Sequence, residues 1–122
     1  MILYSPGRCR EEQFRHVAIS RSSIKGLQAR SVVKNLKTYI NEIDKSDVIL
    51  LDWTLSALID KFSSPVILMD RSPPADSGIL AKLQWHWWKK AWGKAVRGTT
   101  VSTAHKKFVM DVTGMPSASI GI

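Results

Sequence analysis

The chain has one cysteine, Cys9, among 122 residues. That excludes an internal disulfide framework and any zinc site built from several cysteines. It also lacks a run of about 18 apolar residues, so no transmembrane helix is expected and membrane contact would be peripheral. The apolar start, MILYSPGRCR, is too short for a signal peptide, which makes the cytoplasm the expected compartment. Three phosphate or nucleophile signatures are missing: the dinucleotide fingerprint GxGxxG, the P-loop GxxxxGK[ST], and the nucleophile elbow GxSxG. Ser5, Ser22, Ser72 and Ser102 therefore carry no serine-hydrolase signal. His16, His86 and His105 have no partner at metal-ligand spacing.

Acidic residues are also few. Ten aspartates and glutamates face 18 lysines and arginines, a net charge of +8. Such a balance favours anionic partners: nucleic acid, anionic lipid or phosphorylated small molecules. The hydrophobic fraction of 44% is that of an ordinary folded domain, and the length suits one domain spanning 1–122.

Apolar periodicity orders the elements. Ile2–Tyr4 reads as a buried strand closed by the turn SPG, and His16–Ser20 as a second strand. Arg8–Arg15 has room for a short helix between them. From Leu27 to Ile43, Val32, Val33, Leu36, Tyr39, Ile40 and Ile43 recur at helical spacing. DVILLDW and PVILMD are continuous apolar runs, the pattern of parallel strands covered on both faces. A short helix over Leu55–Phe62 separates them, and a long one over 79–96, ended by RGT, comes after the second. TTVST, HKKFVMDVTG and PSASIGI complete a strand, a helix capped by Gly114, and a last strand. Strands alternating with helices predict an α/β fold with a mainly parallel sheet of about six strands.

Ligands of such sheets bind at the carboxyl ends of the strands, which here are SPGR, DW and DRSPPAD. Gly7 would let backbone approach a ligand and Arg8 would meet a phosphate; an ordinary turn is the alternative. Asp52 and Asp70 end two apolar strands, so their carboxylates are candidate bases or hydroxyl acceptors, or else caps of the next helix or loop.

Residues 84–92, QWHWWKKAW, hold four of the five tryptophans. At about 100° per residue, Leu80, Leu83, Trp87, Ala91 and Ala95 share a face expected to pack on the sheet. Trp88 lies near it. Trp85 and Trp92 fall on a border beside Lys89 and Lys90. Exposed tryptophan beside lysine suits a membrane interface, a protein partner or, less readily, nucleic-acid stacking.

Taken in order, DVILLDW, PVILMDRSPPAD, the long helix and TTVSTAHKKFVMDVTGMPSASIGI resemble the N-terminal, acceptor-side domain of a GT-B glycosyltransferase of the retaining kind called family four. Val101-Ser102, Gly114 and Gly121-Ile122 fit the family's V-x-x-S strand, its glycine and its hinge. Residues 47–122 carry the resemblance, and the first 46 match only its topology. Asp70-Arg71 stands where many relatives have histidine, only Gly7 stands where a paired-glycine loop is common, and Ile120 replaces a frequent hinge asparagine. The resemblance implies a Rossmann-like three-layer sandwich with its acceptor cleft lined by Gly7, Arg8, Asp52, Asp70, Arg71 and Asp76. Asp70 would contact acceptor hydroxyls in a catalytic position, and Arg71 or Arg8 acceptor phosphate. The acceptor would be lipid-linked at the cytoplasmic face of a membrane. The nucleotide-sugar is a substrate rather than a cofactor, held mainly by a second domain, so these residues alone are expected to be inactive without a partner chain that brings a donor site.

Overall fold

The structure, a computed structural model, describes residues 1–6, 15–24, 27–74 and 79–122. The expected helix over Arg8–Arg15, and the candidates Gly7, Arg8 and Asp76, lie outside the described residues. The fold is α/β with parallel strands throughout the described sheets, as the alternation of elements requires. Its six described strands form two sheets, of two and four strands, where one sheet was expected. The chain divides into two compact units, Met1–Asn41 and Glu42–Ile122.

In the first unit, β1 (Ile2–Ser5) pairs in parallel with β2 (Arg15–Ala18), aligning Leu3 with His16 and Ser5 with Ala18. Ser5 Oγ and His16 Nε2 are 2.9 Å apart and hold the pair together across the strands. The amphipathic stretch forms α1 (Gln28–Leu36), a 3-10 turn (Lys37–Tyr39) and α2 (Ile40–Ile43), the last crossing into the second unit. Val32 and Leu36 of its apolar stripe are buried. Asn35 Nδ2 donates to the Ser20 carbonyl at 2.6 Å and ties the helix to the chain just beyond β2. Tyr4 and Tyr39 add a tilted ring contact at 5.6 Å.

The second unit is built on four parallel strands in sequential order: β3 (Ile49–Asp52), β4 (Val66–Met69), β5 (Arg97–Thr99) and β6 (Ile120–Gly121). The connections are a 3-10 segment kinked at Leu55 (Trp53–Lys61), α3 (Ile79–Lys94) and α4 (Thr103–Thr113). A strand occupies Arg97–Thr99, where the sequence suggested a helix terminus, and of the expected strand at 99–103 only Thr99 belongs to it, residues 100–102 leading into α4. The reason is local: Val96 N–H donates to the Val66 carbonyl and Asp70 N–H to that of Thr99, which sets RGT into the ladder beside β4. Ser102 accepts from His105 N–H at 3.1 Å and caps α4, while Gly114, at φ 74°, closes it in the left-handed conformation that favours glycine.

Ile49, Leu51, Val66, Leu68 and Ile120 turn to one face of this sheet and meet Ile59, Trp88, Ala91, Trp92, Ala95 and Val109. All three connections thus pack on the same side. Right-handed crossovers that always step in one direction produce this arrangement. No described element of this unit packs on the opposite face, where Leu50 is 55% exposed and Met69 36%. Within this unit the described elements cover one face of the apolar strands.

Candidate functional site at the carboxyl edge of the four-stranded sheet

Asp52 and Asp70 do come to adjacent strand ends, as their positions predict, but they do different work. Asp70 comes directly after β4 and is 1% exposed. Its Oδ2 accepts from Trp88 Nε1 at 2.7 Å and from Trp92 Nε1 at 3.0 Å, and its Oδ1 from Ser72 N–H at 3.2 Å. His105 Nε2 stands 3.3 Å from the same Oδ2, an ion-pair distance outside the angular range of a hydrogen bond. The other ring nitrogen, Nδ1, faces the Val101 N–H at 3.5 Å, so the ring proton belongs on Nε2, toward the carboxylate. A buried carboxylate is tolerated because donors surround it. Asp70 is therefore an internal strut joining β4, α3 and α4. The carboxylate expected to meet acceptor hydroxyls has almost no surface with which to do so.

The tryptophan segment turns by one register from the expected phase. Ala81, Trp88, Ala91, Trp92 and Ala95 are the buried stripe. Trp92, expected on an exposed border, is fully buried, and Trp87, expected in the core, has Lys90 Nζ 5.1 Å from its ring centroid and is not part of that stripe. Two stripes of apolar residues satisfied helical periodicity, and hydrophobicity alone does not choose between them. The choice comes from Asp70, which supplies one acceptor for two indole N–H groups. It comes also from Gly98, where a Cβ would sit 2.1 Å from Trp92 Cζ3. Glycine leaves the hollow that the indole fills. Trp85 packs edge-on to Trp88 at 5.4 Å and to Phe108 at 6.1 Å, so it is half-buried rather than projecting.

The lysines separate too. Lys90 and Lys94 both bind Asp60 on the 3-10 segment, which corrects the reading of Lys90 as open partner surface, while Lys89 is exposed. These contacts hold the Asp60 carboxyl below its ordinary value of 3.8, through hydrogen bonds from Lys90 first and Lys94 second, against desolvation. Asp44 is held low in the same direction, chiefly by the backbone N–H of Ser64.

At the surface of the edge stands an ion pair the sequence did not foresee. Arg71 Nη2 is 3.0 Å from Asp52 Oδ1, with the arginine side chain 67% exposed and that of the aspartate 29%. Asp52 Oδ2 meanwhile accepts from Thr54 N–H at 3.1 Å and from the Thr54 hydroxyl, capping the 3-10 segment. Arg71 thus pairs across strands with Asp52 rather than with its neighbour Asp70. The guanidinium is oriented by one carboxylate and is largely open to solvent, a geometry suited to a phosphate or carboxylate. Among the described candidates, then, Asp52 and Arg71 share the edge, and Asp70 lies beneath it. His105 and Gly98 were missed; the one signal for His105 was its place three residues after the helix-capping Ser102.

No known family model matches the chain, and no curated protein is significantly similar to it. Among the described residues no helix is long and apolar enough to cross a membrane.

Proposed function

We propose that the Glu42–Ile122 unit is the acceptor-side, Rossmann-like half of a glycosyltransferase, and that it binds a phosphate-bearing acceptor at the carboxyl edge of its parallel sheet. The observation that carries this reading is the Asp52–Arg71 pair, an exposed guanidinium held at the ends of adjacent parallel strands. The crevice rule for open α/β sheets puts ligands at that edge. The sequence resemblance supplies the chemistry, sugar transfer from a nucleotide-sugar held by a second domain. Asp70 contributes by fixing the backbone from which Arg71 projects, and not by touching the acceptor.

Peripheral contact with an anionic membrane is the second part of the proposal. Lys82 and Lys89 are exposed on α3, and Trp85 is only half-buried between them in sequence. Each lysine near an anionic surface contributes ~1 kcal/mol. Binding of nucleic acid or a protein through the Trp/Lys helix is the competing reading. It is weakened by the burial of Trp88 and Trp92 and the engagement of Lys90 and Lys94 by Asp60.

The test is an amide-shift titration of labelled protein with sugar phosphates and, separately, with nucleotide-sugars. Sugar phosphates are expected to move residues 52–54, 71, 72 and 100–102, and Arg71→Glu to abolish the response. A millimolar titration that leaves that edge unmoved overturns the acceptor reading. Flotation with anionic and neutral vesicles tests the membrane part, with Lys82→Glu plus Lys89→Glu expected to stay with the unbound protein. Equal flotation by that variant and the parent removes it.

A further inference from the structure

The first unit has a cavity of its own. It measures about 200 Å³ and is lined by Ala18, Ile19, Ser20, Asn35, Thr38 and Tyr39, all within Met1–Asn41. Ala18 is the last residue of β2, so the cavity lies at the carboxyl end of a parallel strand, where α/β sheets bind ligands. Its walls are fixed by bonds that the lining residues make to backbone. Ile19 N–H donates to the Ser5 carbonyl at 3.0 Å, Asn35 Nδ2 to the Ser20 carbonyl at 2.6 Å, and Thr38 Oγ1 to the Asn35 carbonyl at 2.9 Å. The Tyr39 ring leans on Tyr4. A cavity held in this way is preformed and loses little order on filling.

These bonds do not exhaust its polar groups. Asn35 keeps Oδ1 and a second Nδ2 proton, Thr38 keeps the lone pairs of Oγ1, and Ser20 keeps a whole hydroxyl. Donors and acceptors are mixed, and none of the six side chains carries a charge, in a chain of net charge +8. We propose that this cavity binds one uncharged, hydroxyl-bearing ring, a monosaccharide or cyclic polyol. Each hydroxyl of such a ring both donates and accepts, which suits neighbours that do the same. Its C–H face suits the apolar surface of Tyr39. A nucleobase would stack best between two rings, and among the described residues no other aromatic side chain lines the cavity. Volume sets the size: drug-sized ligands need roughly 300–1,000 Å³, so a single ring is the limit here. The inference does not rest on the proposed activity, which concerns Arg71 in the other unit.

Amide-shift titration of the labelled full chain with glucose, mannose, galactose and myo-inositol tests it. At least one of these is expected to move residues 18–20, 35, 38 and 39 and to saturate in the millimolar range. Ser20→Ala plus Thr38→Val removes two hydroxyls at exposed positions and should raise the dissociation constant about fivefold or more. Amide shifts elsewhere in that variant should match the parent's and show that folding is intact. Arg71→Glu should leave the response as it is, which separates this cavity from the phosphate-binding edge. The proposal is overturned if none of the four compounds moves these residues at tens of millimolar, or if a nucleoside does so in their place. Binding by the double variant as tight as the parent's overturns it too, as does a response that Arg71→Glu abolishes.

Discussion

Gly98→Ala is the most direct test of how the core of the second unit is built. A methyl group at this position would lie 2.1 Å from Trp92 Cζ3 and 2.2 Å from Cη2, far inside van der Waals contact. Trp92 has nowhere to retreat, being 0% exposed and bonded through Nε1 to Asp70. Forcing extra volume into a packed core costs about 1–3 kcal/mol. Pulling the indole off a buried carboxylate forfeits a hydrogen bond to a charged group, about 1.5–3 kcal/mol. The expected loss is therefore about 3–6 kcal/mol, a large part of the 5–15 kcal/mol that holds a typical domain. Urea unfolding monitored by tryptophan fluorescence reads it, as a midpoint lowered by about 2 M or more at a slope near 1.5 kcal/mol per M. The same substitution in a Trp92→Leu background isolates the cause. With the ring gone, alanine in a strand should be neutral or better than glycine by ~0.5 kcal/mol. A coupling of at least ~2 kcal/mol is then expected between the two positions. Two additive losses, or a parent-background loss under ~0.5 kcal/mol, would refute the argument that the glycine exists to seat the indole.

Other substitutions probe separate links. Asp70→Leu leaves the Trp88, Trp92 and Ser72 N–H groups without their acceptor, at about 1–3 kcal/mol each, so thermal unfolding should drop steeply or the variant should not fold. Gly114→Ala meets no neighbouring atom but must hold φ 74°, so its cost of about 1 kcal/mol should be purely conformational and appear unchanged in any background. The carboxyls of Asp44 and Asp60 sit below their ordinary value in the folded chain, so the stability they contribute is present above the unfolded aspartate value and is lost as pH falls through the folded one. Acid unfolding curves of Asp44→Asn and Asp60→Asn should accordingly be flatter than the parent's at pH below about 4; superimposable curves would contradict the assigned partners.

The parts of the fold that repeat along the chain could be read from it. Apolar runs found β3 and β4, helical spacing found the 28–43 and 79–94 helices, and Gly114 marked the end of α4. These are signals carried by neighbours in sequence. What escaped depends on partners far away. The phase of α3 is decided by a carboxylate 18 and 22 positions upstream and by a glycine beyond the helix. Continuous hydrophobicity in DVILLDW said that the strand was apolar, but not that all three connections of its unit would pack on the same face. The site was half legible: Asp52 and Arg71 were named, yet their pairing across β3 and β4 requires the register. Asp70 was named for the crevice and is buried, since a strand-end aspartate looks the same in sequence whether its side chain points out of the crevice or down into the core.

The contacts at Asp70 also bear on how this protein can change. Replacing the aspartate strands two indoles, replacing either tryptophan leaves a buried charge with fewer donors, and filling Gly98 dislodges one of the rings. Each single step is uphill, although a set of replacements that removes the charge and both indole N–H groups together would leave an ordinary apolar core. Positions 70, 88, 92 and 98 should therefore drift as a group or not at all, and a diverged relative that has lost the aspartate should be recognisable by having lost the tryptophans with it.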